Sequence, residues 1–411
     1  MNKKFMAAIS CSIVLAASLL GGCSSNSASS GKTTITVWGM GEEAKSLPKI
    51  AENFKKENPD IDVKVQAIPW ETAHDKLLTA VASKNGPDVV QMGTTWIPEF
   101  ASAKALMDLT PYTKKYPELG ADNYYSGSVE TTKVNDQVVG VPWYVDTRVL
   151  FYRTDLLKQV GYSEAPKTWE ELSDAAKKLA NRGEGKYGIS LDAKEQSLSF
   201  MFARQNGSEL LSGNKPLFNE KKFVEAVDYL NSFYKNGSAP KDLDIDILQA
   251  FKGDGILPMF ISGPWSIKLI NDQAPELKGK WATAVLPKKE NNISALGGSD
   301  LSVFQYTKNK EASLKFLAYM SKPKTQIEWM KMTNSLPAAK EAWKDPSLKE
   351  NPDYKTLGDQ MENAKPMPVI KQWEPIAQAY LTSFEKIYRG GADPQKEMDA
   401  FNQKAEEVLN K

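Results

Sequence analysis

The residues of this sequence best equipped to hold a ligand lie in one stretch, Gly140–Asp155, GVPWYVDTRVLFYRTD. Trp143 and Tyr144 offer flat aromatic faces, Asp146 an acceptor-only carboxylate, and Arg148 a five-donor guanidinium two residues further on. An aromatic face takes the C–H side of a ring, while carboxylate and guanidinium address its hydroxyls with direction. The combination suits a neutral, polyhydroxylated ring. It suits equally well a buried strand with an internal Asp–Arg pair, and the stretch alone leaves both readings open. Pro142 has no N–H for a sheet ladder, so it is expected to end one strand and mark a crossing to another element; the run Val149–Tyr152 then continues as strand.

Other chemistries are poorly supplied. The two cysteines are Cys11 and Cys23, so the chain beyond them has no thiol for a disulfide, a thiolate metal site or a nucleophile. His74 is the sole histidine and, in HDKLLTAV, is expected on a helix surface; histidine zinc sites and Ser-His-Asp machinery need more. Lys plus Arg, 52, nearly cancels Asp plus Glu, 51, which gives no electrostatic reason to expect a nucleic-acid partner. Gly39-Met40-Gly41-Glu42-Glu43-Ala44 matches the dinucleotide fingerprint, but two carboxylates inside a phosphate cradle would repel a pyrophosphate. No cofactor and no metal are expected.

The elements that must position these residues alternate in type. Thr33–Trp38 reads as a strand, followed by an amphipathic helix with Leu47, Ile50, Ala51 and Phe54 on one face. Ile61–Ile68 is a second strand, roughly Thr72–Ser83 a helix, and Val89–Met92 a short third strand. Such alternation predicts an α/β domain with a largely parallel sheet, whose ligands sit beyond the carboxyl ends of the strands. The loops there carry Trp38, Glu42 and Glu43; Trp70; and Thr95 and Trp96. Further on, Thr168 to Glu171 has the spacing of a capping box, Tyr187–Leu191 and Ile256–Ser262 read as strands, and Gly297-Gly298-Ser299-Asp300 precedes a strand as a hinge or a pocket wall. From Lys310 the chain is mostly helical, with a long amphipathic helix opening at Trp373. At 411 residues there is room for two domains.

The first thirty residues read as targeting. A basic Asn2-Lys3-Lys4 precedes an apolar run, Met6–Leu20, and Leu20-Gly21-Gly22-Cys23 resembles a bacterial lipobox, with lipid on Cys23 and a Ser-rich tether over 23–32. Cleavage after residue 22 removes Lys3 and Lys4 and takes the formal net charge from +1 to −1.

Taken in order, the pieces resemble the extracellular solute-binding lipoproteins of bacterial ABC importers, in the family that binds sugars and oligosaccharides. The resemblance covers Thr33–Lys411 and rests on a series: ITVWG, FKKENPDIDVKV, GPDVVQMGTTWIPEF, GVPWYVDTRVLFYRTDLLKQVG, APKTWEELSDAAKKL, FISGPWSI, EASLKFLAYMSKPKTQIEWM and SLPAAKEAW. It implies a periplasmic-binding-protein-like α/β fold of two discontinuous lobes joined by a multi-segment hinge. Lobe 1 is expected over 33–142 and 301–336, lobe 2 over 143–300 and 337–411, with hinges near Pro142, Gly298 and Leu336. The implied protein is a non-enzymatic monomer held by its lipid on the outer face of the cytoplasmic membrane, with permease subunits as partners.

By the same resemblance, loop-borne aromatics line the cleft: Trp38, Trp70, Trp96, Trp143, Trp265 and Trp373. Trp169, Trp281, Trp329 and Trp343 sit inside periodic patterns and are expected in the core. Among polar groups Asp146, Arg148, Asp300 and Glu42 come first, then Glu43, Thr95, Tyr144 and Gln91, with the Gly298 backbone approaching a ring. The plain alternatives are a structural Asp146–Arg148 pair at the hinge and a solvated helix start for the two glutamates. Two other functions remain open. A uronate binder would pair Arg148 with the ligand's carboxylate; an exported glycoside-active enzyme would need two facing carboxylates, for which Asp146 and Asp300 are candidates.

Overall fold

Alternation along β1 (Thr33–Met40) buries Ile35 and Val37 on one side of the strand, where Leu47, Ile50, Ala51 and Phe54 of the helix Leu47–Glu57 also go inside. That helix returns the chain so that β2 (Ile61–Ile68) pairs with β1 in parallel, Thr33 opposite Ile61 through Met40 opposite Ile68. Parallel neighbours require such a crossover. A second one, helix Trp70–Ser83, brings β3 (Val89–Gly93) to the other side of β1. These features come from a computed structural model that describes residues 32–41, 43–242 and 245–411. The expectations for the leader, for Cys23 and for Glu42 lie outside those residues.

A hairpin of β4 (Lys133–Val134) and β5 (Gln137–Val138) follows, its turn made by Asn135 and Asp136 at φ 49° and 63°. Then come β6 (Val141–Thr147) and β7 (Val149–Arg153), separated by a single residue, Arg148. After the hairpin β8 (Leu211–Ser212) and β9 (Lys215–Pro216), the remaining strands are β10 (Met259–Ser262), β11 (Trp281–Ala284), β12 (Ser294–Val303), β13 (Leu336–Pro337) and β14 (Ala364–Pro366). The larger sheet has the order β13-β6-β12-β3-β1-β2, with β14 beside β12. The smaller is antiparallel, β10-β7-β11. Arg148 is therefore the one residue between a strand of each sheet.

Helices Trp169–Ala180, Gln196–Gln205, Lys221–Lys235, Trp373–Tyr388 and Pro394–Leu409 bury Trp169, Phe200, Phe223, Tyr380 and Phe401 in a core of their own. A different core runs from Ile35 and Phe54 through Trp143 to Phe151 and Phe260, so apolar contact continues between the two sheets.

Three local readings are corrected. Pro142 lies inside β6, opposite Asp300 where the register shifts by a bulge between Ser299 and Asp300. Sheet disruption of that kind is where a strand tolerates proline. The double glycine is also internal, part of the ten-residue β12. Tyr187–Leu191 forms no strand; only Ser190 bridges to Phe260. The capping box is present, with the Thr168 side chain accepting from the Glu171 N–H. The expected boundaries at Pro142, Gly298 and Leu336 all fall within strands of the larger sheet. Among the described residues no helix is long and apolar enough to cross a membrane.

Candidate functional site

Arg148 joins the pieces of the site. Its side chain is only 13% exposed, and it donates to Asp146 Oδ1 at 2.5 Å and to Glu195 Oε2 at 3.2 Å. Burial works to lower its pKa, but the two carboxylates outweigh burial and raise it above the usual arginine range. Glu195 responds in kind: burial pushes its pKa up, and Arg148 with the Ser197 hydroxyl and N–H pulls it below the ordinary value. Glu195 is also the N-cap of the helix Gln196–Gln205, which fixes its position.

The guanidinium carbon of Arg148 lies 4.8 Å from the ring centroid of Trp265. Trp265 opens the helix Trp265–Gln273 directly after β10 and is 46% exposed, unusual for so large an apolar side chain. Gly263 makes room for it, since a Cβ there would come within 2.3 Å of the indole. One face of the indole is thus held by a cation while much of the ring remains accessible. Trp265 borders two cavities. One, about 350 Å³, is lined by Trp70, Tyr144, Asp146, Trp265, Gly298 and Asn334 among others. The second, about 460 Å³, contains Arg148, Asp192, Glu195, Phe260, Ser262 and Tyr388.

The walls of the first cavity come from separate elements. Tyr144 is on β6, and its hydroxyl meets the Gln91 amide and the Ser299 hydroxyl, each at 3.0 Å. Gln91, itself fully buried in the middle of β3, accepts from the Met40 N–H at 2.7 Å, so the tyrosine is tied through β3 to the end of β1. Gly298 lies on β12 with φ 125°, and a Cβ would stand 2.2 Å from the Tyr144 carbonyl oxygen. Asn334, in the left-handed region after the helix Pro323–Thr333, donates to the Pro264 carbonyl at 2.5 Å and accepts from the Tyr354 hydroxyl.

The structure brings Trp70, Tyr144, Asp146, Arg148, Trp265 and Gly298 together. Trp96 stands edge-on to Trp70, with centroids 5.4 Å apart, and lines neither cavity. Trp38 is half-buried beneath Lys76, whose ammonium is 4.8 Å from the ring, and does not line either cavity. Thr95 donates to Glu374 Oε1 at 2.7 Å. Glu43 begins a short turn, Glu43–Ser46. His74 is not a plain surface residue; it packs against Trp96 and Phe100 and pairs with Glu99 at 2.8 Å.

Three expected ligand residues are interior instead. Trp143 is 1% exposed: it is the residue of β6 left without a partner where the register shifts, and its ring packs tilted on Trp329, centroids 4.5 Å apart, and edge-on to Tyr144 at 5.2 Å. Trp373 is 1% exposed against Phe200, on the helix stripe that also buries Ile376, Ala377 and Tyr380. Asp300 is 1% exposed, accepts the Thr131 hydroxyl at 3.1 Å, and is pushed up to about 8 by burial, with that hydrogen bond opposing. Of the four tryptophans expected in the core, Trp169 and Trp329 are fully buried and Trp281 and Trp343 partly so.

Glu195, Asn334 and Glu374 were missed. Glu195 and Glu374 had a signal in their positions at helix starts. Asn334 had one in its place just past a helix C-terminus, where left-handed geometry favours asparagine.

Residues 39–327 match the model of the bacterial extracellular solute-binding protein family. The sugar-binding protein MalE from Xanthomonas citri superposes with a TM-score of 0.86 at 35% identity, over 92% of this chain and 98% of its own. The GacH receptor of Streptomyces glaucescens, solved unliganded and with acarbose, gives 0.82 at 25% identity, over 92% and 99%. The galactooligosaccharide-binding protein of Bacillus subtilis is 25% identical over 409 residues, 96% of this chain and 94% of that protein. With its mixed α/β sheets arranged in the same two lobes, the chain belongs to the bacterial extracellular solute-binding protein family.

Proposed function

We propose that this protein captures a neutral sugar or oligosaccharide between its lobes and delivers it to the permease of an ABC importer. The observation that carries the reading is Trp265: an accessible indole backed by Arg148, bordering two cavities with Asp146 in the wall of one. Sugar C–H faces pack on such a ring while hydroxyls reach the carboxylate. The similarity to MalE and to the galactooligosaccharide-binding protein supports the same class. Closure over the ligand shifts an open–closed equilibrium and presents the closed form to the transporter.

The charge arrangement favours a neutral ligand. Arg148 already faces two carboxylates, so a uronate entering beside it would meet Asp146 and Glu195 as well. Hydrolysis of a glycoside would need two carboxylates facing the substrate. Asp146 is engaged by Arg148 and Asp300 lies in the interior, which supports a binding role rather than catalysis. We further assign lipid attachment to Cys23, which would hold the protein at the membrane beside its permease.

The test is a thermal-shift panel of neutral mono- and oligosaccharides, including maltotriose and galactotriose, together with uronates, on protein lacking residues 1–23. A ligand at a hundred times its dissociation constant adds about 2.7 kcal/mol to stability. A shift with neutral sugars that is weakened at least about tenfold in Trp265→Ala is the expected result, by loss of the stacking face. Shifts with uronates alone would overturn the neutral assignment.

A further inference from the structure

Glu374 lies half-buried in the first turn of the helix Trp373–Tyr388, on the side of the cleft built by the aromatic helical core. Thr95 lies on the other side, in the loop after β3 of the larger sheet. The Thr95 hydroxyl donates to Glu374 Oε1 at 2.7 Å, so a hydrogen bond to a carboxylate spans the lobes. The carboxylate is also held from behind, with the Gln196 amide 3.5 Å from Oε2. Gln196 is the first residue of the helix capped by Glu195, and Glu195 is bound by Arg148. A polar chain therefore runs from Asp146 through Arg148, Glu195, Gln196 and Glu374 to Thr95, next to Trp96.

We propose that Thr95 and Glu374 form a clasp that holds the lobes in their closed arrangement, making Glu374 a positioning residue for solute binding. It acts through Thr95 rather than by touching the solute, and the inference rests on the reading of the cleft as a solute site. A hydrogen bond to an ionised acceptor is stronger than one between neutral groups. One that forms only when the lobes approach adds to the closed state alone, and apparent affinity scales with the fraction of protein that is binding-competent. The Thr95 hydroxyl has one proton, and that proton is committed to Glu374, so the residue that looked like a sugar contact is engaged in closure.

The test compares Thr95→Val, which keeps shape and removes the donor, with Thr95→Ser, which restores it, and with Glu374→Ala. The probe is whichever of maltotriose and galactotriose gives the larger thermal shift, titrated calorimetrically, alongside small-angle scattering of each ligand-free variant. Thr95→Val should bind about fivefold more weakly with Thr95→Ser near wild type, the scale of one partly exposed charge-assisted hydrogen bond. Its ligand-free radius of gyration should exceed that of the wild type. Equal or tighter binding by Thr95→Val overturns the clasp, as does loss of binding in Glu374→Ala alone, which would put Glu374 on the solute. If neither sugar binds, the sugar assignment fails, and the scattering decides the clasp by itself: no expansion in Thr95→Val overturns it.

Discussion

Arg148 is held by more than its salt bridges. Its backbone N–H donates to Ser294 Oγ at 3.1 Å, and its carbonyl accepts from the same hydroxyl at 2.8 Å, which locks the residue between the sheets to β12. A cation so fully paired serves to orient Asp146 and to back Trp265. Removing it would leave two carboxylates facing each other, a larger penalty than the worth of either pair. Asp300 is the opposite case, a carboxyl buried beside Thr131 with no cation paired to it among the described residues. With a folded-state pKa of about 8 against an ordinary 3.8, the native state holds the proton across that interval and the unfolded chain does not. Stability from this group is therefore present below pH 4 and is lost as pH rises toward 8, with a slope of up to about 1.4 kcal/mol per unit. Asp300→Asn should remove this component, so that its melting temperature gains on the wild type steadily from pH 5 to pH 8. Parallel melting curves across that range would show that Asp300 ionises freely.

At the scale of the element, β12 carries the site. It pairs with β3, β6 and β14, and the extra residue of β6, Trp143, falls opposite its Ser299–Asp300 step, next to Gly298. Gly298 has a φ that other residues rarely adopt, and a side chain there would also strike the Tyr144 carbonyl. Gly298→Ala should cost at least about 2 kcal/mol, the sum of left-handed strain and backbone collision. Gly391→Ala provides the control: φ is 71°, yet nothing lies within 4 Å of its Cβ, so only the strain of about 1 kcal/mol applies. Urea unfolding midpoints that fall equally in the two variants would refute the collision. Individual helices were readable because their apolar positions recur at helical spacing, as in Leu47, Ile50, Ala51 and Phe54 or Phe223, Ala226, Val227 and Leu230. The continuity of β6 and β12 was not readable, since proline and paired glycines normally signal breaks and are tolerated here only by a bulge and by the absence of a side chain.

For the whole molecule, the proposed function joins two lobes, a clasp across them and a lipid tether at Cys23. If Cys23 carries the lipid, Cys23→Ser protein should move from the membrane pellet to the soluble fraction on fractionation of the producing cells, without losing its thermal shift with sugar. Wild-type protein found equally in the soluble fraction would remove the anchor from the account. The candidate site needs no contribution from the tether, because the residues lining its two cavities all lie between Trp70 and Arg389.

The order of motifs along the chain was enough to identify the family, the alternating α/β class and the cluster of Tyr144, Asp146, Arg148 and Trp265, because residue type and local periodicity are properties of the chain itself. Which aromatic of a neighbouring pair faces the cleft was decided only in three dimensions. Trp143 and Tyr144 are adjacent in β6, yet one fills the core and the other lines the cavity. Trp373 and Glu374 divide in the same way at a helix start. Sequence composition cannot assign these places: the register shift that leaves Trp143 unpaired in β6 comes from pairing with β12, and at a helix start only the packing partner determines which side is buried. The interior place of Asp300 and the pairing of Thr95 with Glu374, 279 residues apart, likewise exist only once both lobes have folded and met.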